Sequence, residues 1–121
     1  MRKWVLILLV CVLVFLWLHQ SPEEQAARRQ RAAESAAQEL SIRAYLMSER
    51  FVKQQLRAPA TAIFPSITEA AITYLGAGRF FIAAHVDAEN GFGALIRSPF
   101  NVTLRYVGNE TWEVERVHIG R

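Results

Sequence analysis

The chain opens on an unbroken apolar run from Trp4 to Leu18, and its uniformity predicts one hydrophobic helix. Fifteen residues rise about 22 Å as a helix, short of the roughly 30 Å hydrocarbon core of a bilayer. Lys3 can snorkel, Trp4 and Trp17 suit the two interfaces, and a thin bilayer covers the rest. Ser21-Pro22-Glu23-Glu24 then reads as a helix start, with Ser21 as cap, Pro22 at the first helical position and Glu24 closing a capping box. No Gly or Pro follows until after Arg57, so a long polar helix is predicted over that stretch.

Two stripes run along this helix when positions are spaced at 100°. The first joins Ala26, Gln30, Ala33, Ala37, Leu40, Ala44, Met47 and Phe51; the second joins Ile42, Tyr45, Glu49, Val52 and Leu56. The second begins where a folded domain can begin and is assigned to a sheet, which leaves Glu49 at its edge or paired with an arginine of the sheet. The first has heptad spacing and suits a partner helix, most simply a second copy of the chain. Alanine is also abundant wherever helix is favoured, and a solvated single stalk accounts for it equally.

Pro59 ends the helix at Ala58. Four strand-like runs follow, Glu69–Leu75, Arg79–Ala88, Ala94–Tyr106 and Thr111–Ile119, joined by short Gly- and Asn-containing links that predict an antiparallel meander. Phe80, Ile82, Ala84 and Val86 share one face, as do Ala94, Ile96, Phe100, Val102, Leu104 and Tyr106, so one side of the sheet is packed. Pro99 marks an edge or a bulge. Trp112 and Val114 fall out of phase with Val117 and Ile119, which predicts a second bulge. The fold class is α+β: an N-terminal transmembrane helix (1–21), a helical stalk (22–40), and a domain (41–121) with one helix on a roughly four-stranded antiparallel sheet.

Charge changes the picture once it is located. Residues 1–21 carry +2, residues 22–57 carry seven Arg/Lys against five Glu, and residues 58–121 carry five Arg against six acids. The alkaline pI therefore belongs to the membrane-proximal segments, where lipid headgroups are the natural partner. The globular part is nearly neutral and lacks a basic face for nucleic acid. Arg2, Lys3 and the terminal amine favour the N-terminus inside, although Arg28, Arg29 and Arg31 pull the other way. The single cysteine, Cys11, excludes an intrachain disulfide. Val10 before Cys11 departs from a lipoprotein box, and Leu18-His19-Gln20 is a poor cleavage site. An uncleaved signal anchor in a bacterial inner membrane, domain outside the cytoplasm, is the reading that results.

Two stretches carry a resemblance. Phe51-Val52-Lys53 with Leu56-Arg57-Ala58-Pro59-Ala60-Thr61-Ala62-Ile63-Phe64-Pro65, and Val86-Asp87-Ala88-Glu89-Asn90-Gly91-Phe92-Gly93-Ala94 with Arg97 and Trp112, resemble a small domain of uncharacterised bacterial lipoproteins and membrane-anchored or zinc-ribbon proteins. The resemblance covers about residues 45–119. Ala60 replaces a frequent serine, and neither lipobox nor zinc ribbon is present. It implies the fold and a bacterial source, and no activity.

Candidate chemistry is sparse. His85, Asp87 and Glu89 alternate on one strand face, a pattern shared by metal ligands and by ordinary solvated strands, whereas a catalytic zinc needs three converging ligands. His118 has no sequence neighbour to work with, and no nucleophile motif occurs. Asp87 and Arg97 straddle a hairpin and are expected to pair across it. Asn101-Val102-Thr103 and Asn109-Glu110-Thr111 match the glycosylation pattern, of little meaning in a bacterial chain. The most distinctive stretch is Glu89-Asn90-Gly91-Phe92-Gly93. Phe92 either packs back on Ile63 and Phe64, so that its truncation costs roughly 3–5 kcal/mol, or is displayed to a partner; the structural role is the expectation. No cofactor or metal is implied. The function classes, in order, are a membrane-tethered protein-interaction or scaffold module using Phe92, Asn90, Asp87 and Arg97, a small-ligand or cell-envelope binder, and an enzyme.

Overall fold

The computed structural model describes residues 1–19 and 21–120. Gln20, in the candidate cleavage triplet, and Arg121 lie outside the described residues. The chain divides into two compact units, Met1–Ala37 and Gln38–Arg121.

The first unit holds helix α1, Arg2–Leu18, and the beginning of helix α2, Pro22–Lys53. Every residue of α1 is exposed, and its large apolar side chains point in all directions. No single helix among the described residues is long and apolar enough to cross a membrane; α1 reaches that length only together with the start of α2. Glu23 and Glu24 in the first turn of α2 and Arg50 and Lys53 in the last complement the helix dipole.

The second unit is an α+β layer. Strands β1 (Ala71–Gly76), β2 (Arg79–Glu89), β3 (Leu95–Gly108) and β4 (Thr111–Ile119) form one antiparallel sheet in the order β1-β2-β3-β4. The end of α2 lies on one face, and the core is Ala44, Tyr45 and Val52 against Phe80, Ile82, Val86, Phe100, Val102 and Leu104. The bulge expected in β4 is present, and Pro99 takes the edge alternative, with no register shift at its position. Thr103 pairs with Arg116 but Leu104 pairs with Val114, so Glu115 is the extra residue that restores phase between Val114 and Val117. Pro99 lies where β4 gives out, its carbonyl accepting from Gly120 N–H at 2.7 Å. A Cβ on Gly120 would approach Pro99 Cγ to 2.9 Å.

Several expectations change. The face of α2 on the sheet is Leu40, Ala44, Tyr45, Ser48 and Val52, which runs between the two stripes, with Leu56 packed just past the helix end. Ala44 and Leu40, read as part of a self-association seam, belong to the domain core; Met47 and Phe51 are half-buried, and Ala26, Gln30, Ala33 and Ala37 of that stripe are exposed. Ile42, read as core, is exposed. The physical reason is Ser48: with Ala44 it keeps the fully buried side chains short, and its Oγ donates to Tyr45 O at 2.6 Å instead of standing unsatisfied. The helix also stops at Lys53 rather than Arg57, tightened by Gln55 N–H to Val52 O and Leu56 N–H to Lys53 O. The first strand starts late because Ile67–Glu69 is a 3₁₀ turn capped by Ser66.

Glu49 is not met by an arginine of the sheet. It stands beside Tyr45 and Lys53, and burial holds its carboxyl above the usual range. The Tyr45 hydroxyl donates to Pro65 O at 2.6 Å, fastening the loop to the helix. Burial, then the Glu49 charge, pushes Tyr45 from 10.0 to about 12. A folded value above the unfolded one gives stability that is complete below pH 10 and is lost as pH rises through about 12. Urea midpoints should therefore fall more steeply across that window for the wild type than for Tyr45→Phe, whose own cost at neutral pH is about 1 kcal/mol. Parallel pH profiles for the two proteins would contradict the assignment.

Candidate binding groove and hairpin tip

Strands β2 and β3 are paired from Arg79↔Arg105 to Glu89↔Leu95, and the link between them is short. Asn90 organises it. Its N–H donates to Ala94 O at 2.9 Å, and its Oδ1 accepts from Phe92 N–H at 2.9 Å and Ala94 N–H at 3.1 Å. Gly93 takes the left-handed backbone the turn needs, at φ 75°. Asn90 is thus a turn-forming residue, its side chain spent on its own backbone.

That rigid tip carries Phe92 at 98% exposure. The expected packing on Ile63 and Phe64 does not occur: Phe64 packs edge-on to Phe100 at 5.9 Å, and Ile63 is exposed. The Asn90 turn holds the backbone so that the ring leaves the domain. Phe92→Ala should therefore change stability by no more than about 0.5 kcal/mol, and a large fall in melting temperature would contradict this exposure.

Asp87 and Arg97 face each other in register and form a bidentate pair at 2.8 and 2.9 Å. The Arg97 hydrogen bonds hold the Asp87 carboxyl below its usual range. The backbone of Asp87 also exchanges hydrogen bonds with Ile63, at 2.7 and 3.0 Å, and Glu89 N–H donates to Thr61 Oγ1 at 2.9 Å. The two distinctive sequence stretches are therefore one piece of structure. The 59–65 loop covers the part of β2 that β1, ending at Ala71↔Ala83, leaves bare. Asp87 and Arg97 are clamps, and their charges satisfy each other.

Beside the tip lies a groove of about 580 Å³. Its walls are Leu56 and Arg57 just past the end of α2, the inward-facing Val86, Ala88, Ile96 and Ser98, and β4 at Val117 and Ile119. The groove exists because α2 stops at Lys53 while the hairpin continues, so Ile96 faces the core side yet is 46% exposed. Arg57 closes one end, with a Cβ on Gly91 only 3.1 Å from its Nη1. Among the described residues no carboxylate lies within 4.0 Å of Arg57. Glu89 and His118 sit on the rim, but strand alternation sends their side chains to the opposite face.

The chain matches no family model, no curated protein and no solved structure. Its own chemistry must carry the reading. Among the described residues no three His, Cys, Asp or Glu side chains converge on a metal position, and Asp87 of the His85-Asp87-Glu89 row is occupied by Arg97. Ser98 is the hydroxyl among the described groove residues, and no hydrogen bond among the described residues joins it to a base. On the outer face, Arg79 holds Glu115 through Nε and Nη2 and Arg105 holds Glu113 at 2.7 Å. Among the described residues, the groove and tip present an apolar floor, the Arg57 cation and a projecting aromatic ring. Arg57 and Ile96 were not singled out from the sequence, since only the early end of α2 reveals them.

Proposed function

We infer that this chain is a single-pass, membrane-anchored protein-interaction module of the bacterial cell envelope, with its N-terminus inside and its α+β domain outside the cytoplasm. The observation that carries the binding role is Phe92, held at 98% exposure by a turn that the Asn90 Oδ1 fastens through Phe92 N–H and Ala94 N–H. A large apolar side chain on a preorganised turn binds with little ordering cost, and aromatic residues dominate interface energetics. Ile96, 46% exposed on the groove floor, adds apolar surface beside the tip.

The anchor reading rests on α1. A helix that is apolar all round and buries nothing against its own unit needs an apolar surrounding. Snorkelling by Lys3 and the tryptophans Trp4 and Trp17 extend it toward bilayer thickness. The resemblance to small membrane-anchored bacterial domains agrees with this placement. Association through the helix is not part of the proposal, because Leu40 and Ala44 are committed to the domain core.

The binding role is tested by immobilising the full chain in detergent and passing a detergent extract of source membranes over it. The wild type should retain a discrete protein that Phe92→Ala releases and Phe92→Tyr keeps. Equal retention by wild type and Phe92→Ala would refute the role of the tip.

A further inference from the structure

Hydrogen bonds at the two ends of β2 fix which way the backbone of β1 points. Tyr106 N–H donates to Gly78 O and Asn90 N–H donates to Ala94 O, so even-numbered positions bond toward β3. Asp87 exchanges its bonds with Ile63 on the opposite side. The β2–β3 register runs without a shift from Arg79 to Glu89, so Phe81 and Ala83 bond toward β1, where they meet Thr73 and Ala71. Ile72 and Tyr74, at the alternate positions, therefore direct their N–H and C=O away from the sheet. Among the described residues no backbone hydrogen bond reaches those groups. Gly120 bonds to Pro99 on the far side of β3, so β2 and β3 stand between the end of β4 and this edge. The β4 edge is broken by the bulge at Glu115 and carries Glu113, Glu115 and Arg116, devices that discourage pairing. From Ala71 to Tyr74, β1 keeps a regular register and holds no charge and no proline.

We propose that β1 pairs antiparallel with the β1 of a second copy of this chain, about a two-fold axis at Thr73. Ile72 of each chain then exchanges both backbone bonds with the partner's Tyr74, and Thr73 faces the partner's Thr73 at the closer, non-hydrogen-bonded position. Self-complementarity names the occupant. A two-fold interface must match its own patch, and this axis opposes β-branched to aromatic twice and threonine to threonine once, both favoured cross-strand pairs. Tyr74 is 61% exposed, so its ring has surface to offer beyond its contact with Phe80. No like charges are opposed: antiparallel pairing sends Glu69, just before β1, toward the partner's uncharged Gly76-Ala77-Gly78 turn. A contact this short buries less than about 1,200 Å², which makes the dimer a transient one. Phe92 lies beyond the part of β2 that β1 covers, so this contact and the binding role of the tip stand or fall separately.

The test uses the full chain carrying Cys11→Ala, in detergent with micelles in excess over protein. Thr73→Cys in that background should form an intermolecular disulfide on mild oxidation. The paired Cα atoms would stand about 4.5 Å apart, inside the roughly 4.4–6.8 Å that a disulfide spans. Ala71→Cys, also exposed on the same strand face, should give at most about a tenth as much, since the two-fold sets its two copies about 13 Å apart along the strands. Without oxidation, amide exchange at Ile72 and Tyr74 should slow at least about tenfold from dilute to concentrated protein at a fixed detergent-to-protein ratio. Thr73→Lys, which opposes two ammonium groups at the axis, should abolish that dependence and leave the melting temperature unchanged; this pair decides the matter should Thr73→Cys fail to fold. No disulfide from either cysteine variant overturns the proposal. So do equal yields from both, which would come from chance encounters of α1 in a shared micelle, and so does exchange that ignores protein concentration. Slowing of the Ile72 and Tyr74 amides only by a membrane extract, or by anionic vesicles alone, would assign the edge to another protein or to lipid and contradict a second copy equally.

Discussion

Leu104→Ala is expected to cost about 2–5 kcal/mol, as full truncations in a packed core do. Leu104 is wholly buried on the third of four strands, paired with Phe80 on one side and Val114 on the other. The bulge at Glu115 lies directly beside it, and β2 and β4 fix the strand on both sides, so the site has little freedom to collapse into the vacated space. Domains of this size stand only about 5–15 kcal/mol above the unfolded state, toward the lower end when small. The substitution should therefore lower the urea midpoint substantially, with part of the population unfolded at physiological temperature. Val107→Ala, at an exposed position on the same strand, should stay within about 0.5 kcal/mol. Similar losses for both would mean that the packed layer is not where the structure places it.

The second large effect concerns α1. Cys11 lies near the middle of the apolar run, and an arginine at the centre of a spanning helix costs about 2.5–3.5 kcal/mol on insertion. A run of fifteen residues has little surplus hydrophobic length against which to offset that cost. Cys11→Arg should move the protein from the membrane pellet to the supernatant on alkaline extraction, whereas Cys11→Leu should remain in the pellet. Retention of both variants would contradict a spanning α1, and release of both would contradict the anchor altogether.

Much of this fold is legible in the sequence because strand signals are local. Alternation at Phe80, Ile82 and Val86 names the core face, and the phase break between Val114 and Val117 names the bulge before any pairing is seen. The helix was harder to read. Stripe counting rewards large apolar side chains, so it chose Ile42 and passed over Ser48, although close approach of helix to sheet favours a small residue. Ala44 illustrates the same difficulty: its type fits a stalk, a seam or a tight core contact equally. At the candidate site, Asp87–Arg97 follows from distance to the hairpin tip, whereas Phe92 depends on a competition the sequence does not decide. A small core has reason to recruit an aromatic ring, but Asn90 turns the backbone outward and Phe64 already fills the place beside Phe100. The groove is harder still, since it arises from where α2 ends and not from any motif.

The central claim is that the domain meets its partner through the β2–β3 tip. The most direct measurement is photo-crosslinking in living cells with a benzophenone side chain placed at Phe92, compared with one at Thr111, exposed on the hairpin at the other end of β3. The account predicts one discrete adduct band from Phe92 and none from Thr111. Equal adducts from both positions, or adducts from Thr111 alone, would contradict it.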